Sequence, residues 1–110
     1  MLSKEYRLPA DSQLKNSSFF KTPLFAVKIA KNGSTESRFA FLVRKKVDKR
    51  AVKRNRIRRV FRSCIEQMLG EIKQGYDMLF FLEKSIIDTD RKQLFEMIKM
   101  FLEEKNLLSK

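Results

Sequence analysis

The sequence predicts an α/β chain, a β-sheet with helices packed on it, in one domain spanning residues 1–110. Three observations carry that prediction. LFAVKIA (residues 24–30) and RFAFLVRKK (residues 38–46) alternate along the chain with the period of a half-buried strand. YDMLFFL (residues 76–82) is short and apolar enough for a buried strand. Two further stretches, after the second and third of these, repeat apolar residues at the helical spacing of three and four. A chain of 110 residues buries one modest core and is too short for two ordinary ones.

Residues 1–18 are polar and irregular, with Pro9, a Ser17-Ser18 pair, and only Leu8 and Leu14 as anchors. They read as an extended or partly ordered arm. In the first strand Phe25, Val27 and Ile29 share a core face, opposite Leu24, Ala26, Lys28 and Ala30. KNGSTES, with Asn32-Gly33 inside it, reads as a loop making an antiparallel return. The second strand then buries Phe39, Phe41 and Val43 and sets Arg38, Ala40, Leu42 and Arg44 opposite.

Asp48 is the expected N-cap of a helix in which Ile57, Val60, Phe61, Cys64, Ile65 and Met68 recur, ending near Gly70. After the third strand, Asp88, Thr89 and Asp90 open a last helix with the stripe Leu94, Ile98, Phe101 and Leu102.

Charge is the functional signal. The formal net charge is +12, yet Arg44 to Arg62 holds eleven Lys and Arg against the single acid Asp48. The rest of the chain has fourteen bases and twelve acids, so the imbalance is a localised anion-binding surface. From Lys49 to Arg62 eight like-charge pairs fall at i,i+3 or i,i+4. These cost an isolated helix roughly 2 to 4 kcal/mol at low salt, which points to a polyanion as partner.

At 100° per residue, Asn55, Arg58, Arg59 and Arg62 lie across from the apolar stripe. Arg50, Lys53 and Arg54 share its azimuth. Buried there they would be unpaired charges, so the first turns must overhang the core. Arg44, Lys45 and Lys46 feed the same corner. A cleft between that corner and the strand face of Ala26, Lys28, Ala40 and Leu42 suits a single strand of nucleic acid. Asn55, between two arginines, can donate and accept to a sugar hydroxyl, phosphate or base edge.

Other classes are disfavoured. The lone Cys64 excludes an internal disulfide and a multi-cysteine zinc site, and its place on the apolar stripe makes it core filler. Histidine is absent, Asp88 and Asp90 suit capping, and Glu103-Glu104 suits a solvated turn. No catalytic residue and no metal ligand is therefore assigned to the chain itself. No stretch reaches the length of a membrane span, and the N-terminus lacks the apolar run of a signal peptide, so a cytoplasmic protein is expected. A structural RNA-binding protein of ribosomal type is the alternative; a DNA-binding regulator or membrane-surface helix fits less well.

KKVDKRAVKRNRIRRVFR (residues 45–62) resembles the signature of the bacterial ribonuclease P protein component. That family's small basic subunit assists a catalytic RNA in removing 5′ leaders from precursor tRNAs. The Arg-Asn-Arg core is matched by Arg54, Asn55 and Arg56, with flanking matches at Arg50, Arg58, Arg59 and Arg62 and the approach strand FAFLVRKK. Weaker resemblance covers residues 5 to 105.

The resemblance implies an α/β sandwich with a four-stranded sheet and a left-handed βαβ crossover carrying the Arg-Asn-Arg helix, against the usual hand. It implies two partners, the catalytic ribonuclease P RNA and precursor tRNA. The expected RNA-binding set is Arg44, Lys45, Lys46, Arg50, Lys53, Arg54, Asn55, Arg56, Arg58, Arg59 and Arg62. The expected leader cleft holds Phe19, Phe20, Lys28 and Leu42. Hydrolysis would fall to the RNA, which binds most of the Mg²⁺. The chain departs from the family's pattern in a shortened Leu8–Phe25 segment with adjacent Phe19 and Phe20, in Val47-Asp48-Lys49 without glycine, and in Ser63 where glutamate is common.

Overall fold

The computed structural model describes residues 6–8, 14 and 16–108. Strands β1 (Ser18–Lys21), β2 (Phe25–Lys31), β3 (Arg38–Leu42) and β4 (Tyr76–Leu82) form one sheet in the order β1-β2-β4-β3. Helix α1 (Ala51–Met68) lies between β3 and β4 in the chain, and α2 (Arg91–Glu104) follows β4. Short 3₁₀ turns at Leu69–Glu71 and Lys84–Asp88 follow α1 and β4.

β4 pairs antiparallel with β2 and parallel with β3, so the sheet is mixed. A parallel pair needs a long crossover, and the segment carrying α1 supplies it. The expected antiparallel return holds in direction, since β3 runs opposite to β2, but the two strands do not pair: β4 intervenes between them. The loop at 32–37 carries the chain past the place that β4 fills.

β1 is an element that the periodicity hides. Its four residues put two adjacent phenylalanines on opposite faces, so no alternation shows. The turn to β2 is tied by Thr22, whose N–H donates to Phe25 O at 2.7 Å and whose hydroxyl accepts from Phe25 N–H at 3.1 Å.

The core follows from strand parity. Phe25, Val27, Ile29, Phe39, Phe41, Met78 and Phe80 meet Phe61, Cys64, Ile65 and Met68 of α1 and Leu94, Ile98, Phe101 and Leu102 of α2. Phe61, fully buried, sits among the rings of Phe80, Phe25 and Phe41 at centroid distances of 5.0, 5.5 and 5.5 Å. Burial of such a ring stabilises by about 1.5–3 kcal/mol, and each ring pair adds about 0.5–1.5 kcal/mol. The α2 stripe is as expected, and Asp90 caps α2 by accepting from Gln93 N–H at 2.8 Å. Val43, expected in the core, lies past the end of β3 and is only partly buried.

Candidate nucleic-acid interface

α1 begins without the help a helix normally receives. Its N-cap is Arg50, which makes no side-chain cap bond, and its first turn holds no acid. Bases at a helix N-terminus oppose the macrodipole, so this end is electrostatically poor in isolation. Asp48, expected as the cap, lies two residues before it. Its carboxylate accepts from Arg50 N–H at 2.9 Å, Arg50 Nε at 3.1 Å and Arg50 Nη2 at 3.0 Å. Those bonds hold the Asp48 carboxyl at about 2, below its ordinary value.

The overhang is present. Buried α1 residues start at Phe61, and Ala51 to Val60 contribute none. Local bonds organise this stretch instead. Arg54 Nη1 donates to the carbonyls of Asp48 and Lys49, both at 2.9 Å, bracing the entry turn. Arg58 Nη2 donates to Asn55 Oδ1 at 2.9 Å. Burial, and then Arg54 and Arg62, lower the pKa of Arg58, the like-charge crowding seen in the sequence. The Arg62 guanidinium lies over the Phe41 ring, 5.9 Å from its centroid.

The structure thus divides the expected RNA-binding set. Arg50, Arg54, Arg58 and Arg62 are engaged within the protein, and Asn55 holds Arg58. Lys45, Lys46, Lys53, Arg56 and Arg59 make no bond among the described residues, and all but the partly buried Lys53 are exposed. Asn55, Arg56 and Arg59 form an exposed ridge along the outer side of α1.

The second feature lies on the sheet face away from the helices. Phe19, Lys21, Ala26, Lys28, Leu42 and Phe81 share that face by register. With Arg44, Lys46, Val47 and Glu83 at one end, they line a groove of ≈ 290 Å³. Phe81 forms its aromatic floor, with Lys28 Nζ 5.9 Å and Arg44 Cζ 5.7 Å from the ring centroid. Phe81 was missed in the sequence because YDMLFFL reads as uniformly buried; its adjacency to core-facing Phe80 was the available signal.

The rest of that face is covered. Leu8 N–H donates to Phe39 O at 2.8 Å, and Leu8 packs with Ala40 and Leu79, joined by Leu14. Ala40, expected on the cleft face, therefore lies beneath Leu8 at 3% exposure. The groove is confined to the Phe81 end, next to the entry of α1.

Of the four expected leader-cleft residues, Phe19, Lys28 and Leu42 line the groove. Phe20 does not, and this is a correction. It pairs with Val27 and faces the helices, its ring edge-on to Phe101 at 5.9 Å and beneath Lys105 Nζ at 4.5 Å. Adjacent residues of a strand cannot both reach one face.

Family-level similarity runs along nearly the whole chain, through both the ridge and the groove. A family model described as Ribonuclease P matches residues 5–106. The chain belongs to the ribonuclease P protein family.

Proteins named ribonuclease P protein component include one from Histophilus somni, 33% identical over 98 residues, covering 86% of this chain and 82% of the relative. One from Clostridioides difficile is 36% identical over 86 residues, covering 77% and 75%. The match to a Cyanothece relative spans 60% of that protein's length. The Thermotoga maritima RNase P protein shares the fold with a TM-score of 0.74 at 24% identity, over 82% of this chain and 84% of the other. The RNase P protein from Staphylococcus aureus gives 0.71 at 21% identity over 100% and 97%. The ribonuclease P fold therefore agrees with the four-stranded sheet and two helices described above. Among the described residues, no helix is long and apolar enough to cross a membrane.

Proposed function

We propose that this chain is the protein subunit of ribonuclease P in the cytoplasm, an accessory to an endoribonuclease whose RNA subunit performs the hydrolysis. The outward ridge of α1 binds the catalytic RNA, and the groove holds the 5′ leader of precursor tRNA. One observation carries this reading: the groove's basic end at Arg44, Lys46 and Val47 runs directly into the entry turn of α1, the helix that bears the ridge. A single strand lying in the groove would therefore end beside the start of the helix whose ridge contacts the RNA.

Lys46, Arg56 and Arg59 supply exposed positive charge for phosphates, each contact releasing counterions. Phe81 and Phe19 offer stacking surfaces that tolerate any base, worth about 1 to 3 kcal/mol per base. Phe19 arrives on a strand, which supplies an aromatic despite the shortened N-terminal segment. Mg²⁺ held chiefly by the RNA partner supplies the hydrolytic chemistry. The protein's part is to neutralise phosphates where substrate meets catalytic RNA and to favour precursor over product.

Reconstitution with ribonuclease P RNA at low Mg²⁺ tests this reading. Leader removal should be stimulated, and Lys28→Ala, Leu42→Ala or Phe81→Ala should weaken precursor binding while leaving mature tRNA binding unchanged. Equal losses for both tRNAs would refute the groove assignment. A ribosomal-type RNA binder would give no specific stimulation.

A further inference from the structure

A second concavity lies on the helix side of the sheet. It is a slot of ≈ 280 Å³ between the first half of α1 and the chain from Ile86 to Leu94. That volume falls just below the range of about 300–1,000 Å³ for drug-sized ligands, a scale suited to a single nucleotide. One wall is Ile57 and Val60, the other Ile86, Ile87 and Leu94. Ile86 and Leu94 are buried, whereas Ile87 is 45% exposed.

The overhang creates this slot. A helix seated fully on the core would press Ile57 and Val60 against the opposite wall, but here both remain only partly covered. Lys53 and Arg56 also line the slot, and neither has a bond partner among the described residues. Asp48, which lines it too, is already engaged by Arg50. Apolar walls beside Arg56 and Lys53, the latter also attracted to Asp48 but bonded to nothing among the described residues, complement an aromatic ring carrying a phosphate.

We propose that this slot receives one unstacked nucleobase of the catalytic RNA, its phosphate bound by Lys53 and Arg56. The inference rests on the RNA-subunit reading above. The catalytic RNA is the source, because Arg56 belongs to the outward ridge and the leader groove opens on the opposite face of the sheet. Apolar contact with the base gives a nucleotide-level anchor that phosphate contacts cannot provide.

Photo-crosslinking in the reconstituted holoenzyme tests the proposal. Cys64 is buried, so a cysteine at position 87 is the accessible thiol for a short aryl azide. Val52→Cys on the outer side of α1, where Val52 is 77% exposed, serves as the control. The Ile87→Cys protein should crosslink to one nucleotide of the catalytic RNA. Ile87→Ser should lower affinity for that RNA about three- to tenfold with an unchanged melting temperature. Crosslinks from position 52 but none from 87, or crosslinks from 87 spread over many nucleotides, would overturn the slot alone. Silence from both positions would overturn the RNA-subunit reading with it.

Discussion

Arg38 and Asp77 face each other across the parallel register of β3 and β4, and the guanidinium delivers two hydrogen bonds to the carboxylate. Arg38 Nε reaches Oδ1 at 2.9 Å and Nη2 reaches Oδ2 at 2.8 Å. Asn32 Nδ2 donates to the same Oδ1 at 2.8 Å. Asp77 is 6% exposed, so one buried carboxylate ties the loop before β3 and the first residue of β3 to β4. The crossover strands are thereby locked in register at the end remote from the groove.

Asp77→Ala should therefore destabilise the fold by about 1–3 kcal/mol, the cost of stranding partners of a buried acceptor. Urea unfolding measures it. Arg38→Ala combined with Asp77→Ala should cost less than the sum of the two single changes. Strict additivity would mean that the pair is not coupled.

Arg54 and Arg56, two residues apart, should behave differently. Arg56→Ala should reduce the log–log salt slope of RNA binding by about 0.7–0.9, one phosphate contact, with stability unchanged. Arg54→Ala should instead raise amide exchange across residues 48–54. Arg54→Lys should not restore protection, because an ammonium lacks the planar fork that spans two carbonyls. Equal slope changes without altered exchange would contradict this division.

The Asp48 carboxyl should titrate near 2 in the folded protein, below its ordinary value, because of the Arg50 bonds. A depressed carboxyl contributes stability above its unfolded pKa and loses it as pH falls through the folded one. The pairing should thus persist from neutral pH to about 4 and disappear toward 2. Arg50→Ala should move the titration upward, and carbon-13 NMR of the Asp48 carboxyl records it.

Cys64 is fully buried, and burial pushes its thiol pKa up. It should resist aromatic disulfide reagents in the native state and react on unfolding. Rapid native modification would contradict its packing.

Much of this architecture is local in origin and was therefore legible. The core residues Phe25, Val27 and Ile29, the α2 stripe and the crowded bases of α1 declare themselves through spacing along one element, independently of neighbours. The need for an overhang also followed, because Lys53 and Arg54 could not be buried as free charges.

Tertiary structure decided the rest. Whether the loop at 32–37 leads to an adjacent or a skipped strand depends on β4, more than thirty residues later in the chain. Phe20 and Phe81 exchanged roles because strand parity is defined only once register is set. Which guanidiniums remain available depended on carbonyls, a ring and one carboxylate that folding brings to them. Periodicity and like-charge repulsion act within an element, whereas pairing partners and coverage of a face arise from segments far apart in the chain.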